Sequence, residues 1–173
     1  MPQPPVPQRV FVDADVLATR TPFCWLAMLR DETDGAFRLY TSAGELAVAS
    51  QKWRTSHPGA DDTAAARREH LLRAVLDEVT GPAAAEGGVR LAPEPRPEDD
   101  DALDEVCTPD EFLCLIDDES GLSVRALTHR RQEDIGRRRA AGLPADSLAD
   151  ALVAAGCTAF AERVTAHLRA LAA

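Results

Sequence analysis

The chain is predicted to fold as an α/β domain, a parallel sheet flanked by helices, followed by an all-helical C-terminal extension. Two observations carry this. Apolar strand-like runs alternate with helix-periodic segments in the order strand, helix, strand, two helices, strand, the pattern of parallel strands joined by crossover helices. From Ser120 onward only helical periodicity remains. Composition agrees: 45% of residues are hydrophobic and only 5% aromatic, with Ala and Leu abundant, which suits a helix-rich globule. A chain of 173 residues is long enough to bury roughly 70% of its unfolded surface.

Taken in order, Met1-Pro2-Gln3-Pro4-Pro5-Val6-Pro7 reads as a disordered or extended lead over residues 1–8; it has neither the basic nor the apolar region of a signal peptide. Val10 to Val12 form a short buried strand. A helix over 16–29 carries Leu17, Phe23, Trp25, Leu26 and Leu29, with Pro22 favouring a start capped by Thr21. Gly35 turns the chain into a second strand, Phe37 to Tyr40. Ser42 caps a helix reaching about Arg54, and His57-Pro58-Gly59 ends it. Asp61 or Asp62 opens a third helix with the stripe Leu71, Leu72, Val75, Leu76 and Val79, stopped by Gly81-Pro82. A third strand spans Val89 to Leu91. After a proline-rich acidic loop, strand-like Val106-Cys107 leads into Thr108-Pro109-Asp110-Glu111. There Thr108 caps, Pro109 takes the first helical position and Glu111 completes a capping box. Phe112, Leu113, Leu115 and Ile116 form the buried side. Helices follow over 122–139, at Leu148, Leu152 and Val153, and at Phe160, Val164, Leu168 and Leu171, the last capped by Thr158.

The net charge of −10 argues against passive binding to nucleic acid, which needs a basic surface. The basic stretch Arg125, Arg130, Arg131, Arg137, Arg138 and Arg139 reads as a solvated helix face balanced by acids. Cys24, Cys107, Cys114 and Cys157 lack metal spacing and read as buried free thiols. No apolar run approaches the roughly 20 residues of a membrane helix, so a cytoplasmic protein is expected. No Ser or Cys sits in a Gly-rich elbow, and Lys52, the only lysine, belongs to no phosphate loop.

Several blocks, in order, resemble the PIN domains of VapC-type toxin ribonucleases. They are Arg9-Val10-Phe11-Val12-Asp13-Ala14-Asp15-Val16-Leu17; Thr19-Arg20-Thr21 with Trp25-Leu26; Phe37 to Tyr40; and Thr108-Pro109-Asp110-Glu111-Phe112-Leu113-Cys114-Leu115-Ile116-Asp117-Asp118, continuing through Val124-Arg125-Ala126-Leu127-Thr128. The resemblance spans residues 9–170 with one gap. It implies a core over 9–118, internally shortened near 93–107, and a helical extension over 119–173. It also implies hydrolysis of RNA by Mg²⁺ or Mn²⁺ held on converging carboxylates, where the metal activates water and stabilises the attacked phosphate.

Asp13 matches the first acid of that site. Asp15 stands where the family has Asn and either adds charge or caps the following helix. The second acid falls on Val48, leaving Glu45, one turn earlier, as a substitute or as an ordinary first-turn Glu. Asp99, Asp100 and Asp101 resemble the segment carrying the third acid, with Asp100 the catalytic candidate beside Asp13 and Glu45. The helix, strand and fourth acid that the family places next have no counterpart here. A lost strand leaves sheet surface to be covered by the C-terminal helices, a domain swap or a partner.

The residues therefore favour a degenerate PIN-like protein acting through protein contacts in a toxin–antitoxin-like or regulatory setting, with a second copy, an antitoxin or a paralogue as partner and no cofactor. The alternative is an active Mg²⁺- or Mn²⁺-dependent endoribonuclease using Asp13, Glu45 and the acids at 99–101, with RNA as substrate. A third reading is an unrelated α/β module.

Overall fold

The computed structural model describes residues 7–81, 88–94 and 105–172. Within them the elements run β1 (Gln8–Val12), α1 (Ala14–Ala18), α2 (Arg20–Glu32), β2 (Phe37–Ser42), α3 (Ala43–Ser56), α4 (Asp62–Val75), β3 (Glu78–Thr80), β4 (Val89–Leu91), β5 (Glu105–Cys107), α5 (Pro109–Ala140), α6 (Leu148–Ala154) and α7 (Thr158–Ala172). The five strands form one all-parallel sheet in the order β3-β2-β1-β4-β5. The expected α/β class, with its helical C-terminal part, is thus observed. No described helix is long and apolar enough to cross a membrane.

Alternation along the strands sends successive side chains to opposite faces. Val10, Val12, Phe37, Leu39, Val89 and Leu91 share one cluster with buried residues from all seven helices, including Leu17, Phe23, Leu46, Leu72, Leu113, Leu152 and Phe160. Phe11 and Tyr40, also buried, lie outside that cluster. Two edge-to-face pairs tie the C-terminal part to the core. Trp25 meets Phe160 with centroids 5.2 Å apart, and Phe37 meets Phe112 at 5.5 Å. Gly88, just before β4, has φ 149, and a Cβ there would stand 2.6 Å from the Arg9 carbonyl oxygen, so only glycine lets β4 close on β1 here.

Local signals explain most helix starts. Ser42 Oγ accepts from the Glu45 N–H, Asp61 caps α4, and Thr108 and Glu111 form the expected capping box. α5 carries both helices expected on either side of Ser120, whose φ/ψ of −136/42 kinks it beside Gly121. The basic stretch is largely consumed internally. Arg130 pairs with Glu32 and Arg137 with Asp134, while Arg125, Arg138 and Arg139 donate to the carbonyls of Ala170, Pro144 and Ala145.

Several expectations need correction. The strand begins at Gln8, inside the expected lead. The first helix is two, broken at Thr19, which replaces Thr21 at the cap. α4 ends at Val75, and Val79 sits in β3 instead of on a helical stripe, because Asp77 leaves the helix to bond β2: its Oδ2 accepts the Leu39 N–H at 2.9 Å. Leu71, Leu115 and Val153 are more than half exposed, at 56%, 51% and 52%. Only Cys157 is fully buried; all four cysteines are free. The start of α7 is held by Asp110, whose carboxylate accepts the N–H groups of Ala159 (3.1 Å) and Phe160 (2.8 Å), in place of a Thr158 cap. Most of the expected shortening near 93–107 falls on residues 95–104, outside those described.

Candidate functional site

β1 is the central strand, and the chain leaves it towards β2 on one side and returns beside it as β4 on the other. In parallel α/β sheets the crevice beyond the strand ends at such a switch point is the usual ligand site. Asp13 follows β1 there. Its N–H donates to the Leu91 carbonyl at 3.1 Å, fixing the carboxylate between β1 and β4.

Asp13 is fully buried. Its Oδ1 accepts the Asp15 N–H at 3.0 Å, so Asp13 itself is the N-cap of α1. Its Oδ2 accepts from Arg90 Nη2 at 3.2 Å, and the Arg90 side chain is 23% exposed. Glu45 reaches the same place from the first turn of α3: Oε2 accepts the Ala14 N–H at 2.7 Å. Asp15, the alternative cap, instead pairs with Lys52 Nζ. Val48 is 43% exposed and carries no ligand atom. Glu45 thus bonds the residue after Asp13, while Asp99, Asp100 and Asp101 lie outside the described residues.

Arg90 is the participant that the sequence reading missed. Its signal was present. A cation in the middle of Val89-Arg90-Leu91, a strand of a parallel sheet, needs a buried partner, because parallel strands are ordinarily apolar on both faces.

Among the described residues no group of three or more His, Cys, Asp or Glu side chains is placed to hold a metal ion. The assigned carboxylate oxygens accept protein N–H groups, and a guanidinium already stands at Asp13. A divalent ion about 4 Å from that guanidinium would meet roughly 8 kcal/mol of repulsion at an effective dielectric of 20. The described residues do not fit such an ion. What they do is staple: the carboxylates join the end of β1 to β4, α1 and α3.

Beside this staple lies an open cleft of about 710 Å³, whose lining includes Asp15, Thr19, Lys52, Ser56, Thr108 and Cys157. Burial, with smaller contributions from nearby acids, pushes the Cys157 thiol up to about 12, and burial followed by Glu111 and Glu105 does the same for Cys107. Both stay protonated at neutral pH and are poor nucleophiles. Brief iodoacetamide treatment of the native protein at mildly alkaline pH is expected to spare Cys107 and Cys157, while the denatured chain reacts at all four cysteines. Peptide mass spectrometry reads this, and rapid native alkylation of Cys157 would contradict its buried placement.

Compared with known proteins, the chain matches no family model, no curated protein and no solved structure.

Proposed function

We propose that this chain is a degenerate PIN-like protein in which an internal ion pair stands where the catalytic metal would bind, and that it acts through protein contacts in a toxin–antitoxin-like or regulatory setting. The observation that carries this reading is the Arg90–Asp13 pair, with Asp13 fully buried at the end of the central strand. A metal nuclease needs that carboxylate for its ion, whereas a scaffold needs only its position satisfied. The parallel sheet with an acid closing its first strand supports the PIN-like part. A second copy, a paralogue or an antitoxin-like chain is the expected partner. The four free cysteines suit a reducing, cytoplasmic setting.

The convergence of Glu45 on the residue after Asp13 favours a second reading. In it, the chain is an active Mg²⁺- or Mn²⁺-dependent endoribonuclease that adds Asp99, Asp100 and Asp101 to Asp13 and Glu45. Calorimetric titration of Mn²⁺ separates the two, comparing the natural chain with Asp13→Asn, which keeps an acceptor for the Asp15 N–H. The first reading expects no saturable heat in either protein. Micromolar binding that disappears in Asp13→Asn would replace it with the second and call for an RNA-cleavage assay.

A further inference from the structure

A second cavity, of about 490 Å³, opens between α2, α5, α6 and the connection from α5 to α6, and it shares no lining residue with the cleft beside Asp13. Cavities of this order hold small organic ligands. Trp25, Met28, Ile135 and Leu148 give it an apolar wall, and Arg20, Arg131 and Arg138 line it as well. Neither Arg20 nor Arg131 makes a side-chain hydrogen bond or ion pair among the described residues. Arg131 goes further: its Nε is buried, and an N–H shut away from water without an acceptor costs free energy that a bound acceptor would return. Arg138 spends one of its five donors on the Pro144 carbonyl, at 3.3 Å. Of the acids in the lining, Asp134 is paired with Arg137 and Asp146 is exposed. Arg20 also opens α2, whose cap Thr19 makes no side-chain bond to the first turn and which has no acid there. The positive end of that helix therefore lies uncompensated at the same cavity.

We propose that this cavity binds a small phosphate monoester with an apolar body, its phosphate held by Arg20 and Arg131 with support from Arg138, its body against Met28 and Ile135. The inference goes beyond the PIN-like reading and does not depend on it. A phosphate monoester suits these donors better than a carboxylate does. Near neutral pH it carries about 1.5 to 2 negative charges on three acceptor oxygens, where a carboxylate has a single charge and two oxygens. Guanidinium groups match phosphate with parallel pairs of bonds. The arginines of the lining outnumber its acids, and Arg137 covers one of those acids besides. The apolar wall rewards an organic body, which inorganic phosphate lacks. A polynucleotide fits less well, since the net charge of −10 repels a polyanion over its whole length, whereas the cavity takes one small anion.

Calorimetric titration of the full chain with phenyl phosphate tests this, with benzoate, inorganic phosphate and benzyl alcohol as comparison probes. Phenyl phosphate is expected to bind saturably and at least about tenfold more tightly than each of the others. Arg20→Gln and Arg131→Gln should each weaken it about tenfold, the loss of one charge-assisted bond. Arg20 is exposed and unpaired, so its variant decides the matter even where Arg131→Gln disturbs α5. Arg67→Gln, an exposed position on α4 with the same charge change, should leave binding as it is. Four results would overturn the proposal. One is no saturable heat with phenyl phosphate, and another is binding that Arg20→Gln leaves unaltered. The third is equal weakening by Arg67→Gln, which would reduce the effect to net charge. The last is a comparison probe that binds as tightly, which would make the cavity a carboxylate site, a site for any anion or an apolar hole. The Mn²⁺ titration reads Asp13 and this one reads Arg20, so the two proposals fail separately.

Discussion

Arg90→Met is expected to cost the fold about 3–5 kcal/mol, because it takes the guanidinium away from a fully buried carboxylate. Methionine keeps most of the arginine stem and can still cover Phe11, so the loss reports on charge more than on packing. Asp13 would keep the Asp15 N–H bond but not the guanidinium at 3.2 Å. Adding Asp13→Asn to Arg90→Met removes the buried charge as well, and the double variant should regain more than half of the loss. Such strong coupling is characteristic of groups in direct contact. Urea denaturation of the four proteins closes the cycle. If Arg90→Met unfolds within 1 kcal/mol or so of the natural chain, below the usual effect of breaking a buried pair, the ion pair does not hold the switch point together and the degenerate reading loses its support.

Phe160→Ala should be about as damaging, at roughly 3–5 kcal/mol for a fully buried aromatic. Its ring is 0% exposed and meets Trp25 of α2 edge to face, so the cavity would open between the C-terminal helix and the sheet-covering layer. Because Phe160 and Trp25 belong to the same cluster as the strands, the denaturation curve should shift as a single transition with its slope preserved. A biphasic curve, with residues beyond about 140 melting first, would mean that the helical extension is a separate unit.

The fold was legible wherever a local rule decides the outcome. The Ser42 cap and the Thr108–Glu111 box are dictated by residues three apart, and the alternation of runs announced the parallel sheet. β3 escaped because Leu72, Val75, Leu76 and Val79 continue a helical period. What ends α4 is the bond from the Leu39 N–H to Asp77, a partner far away in sequence. Leu115 and Leu71 fit their stripes yet face outwards, since periodicity states which residues share a side and not how wide the buried strip is. At the candidate site, the positions of Asp13 and Glu45 could be read. Their neutralisation could not, because Arg90 meets Asp13 only once β4 has crossed to the far side of β1.

Asp110 has a consequence for the order in which the chain can assemble. It satisfies the opening N–H groups of α7 from 49 and 50 residues upstream, on the first turn of α5. During synthesis that carboxylate emerges well before the helix it secures, and meanwhile the Trp25 indole has no Phe160 to lie against. Helix α7 therefore closes as a clasp on elements that emerge before it, and until it closes the growing chain keeps the Trp25 ring open to whatever binds nascent polypeptides.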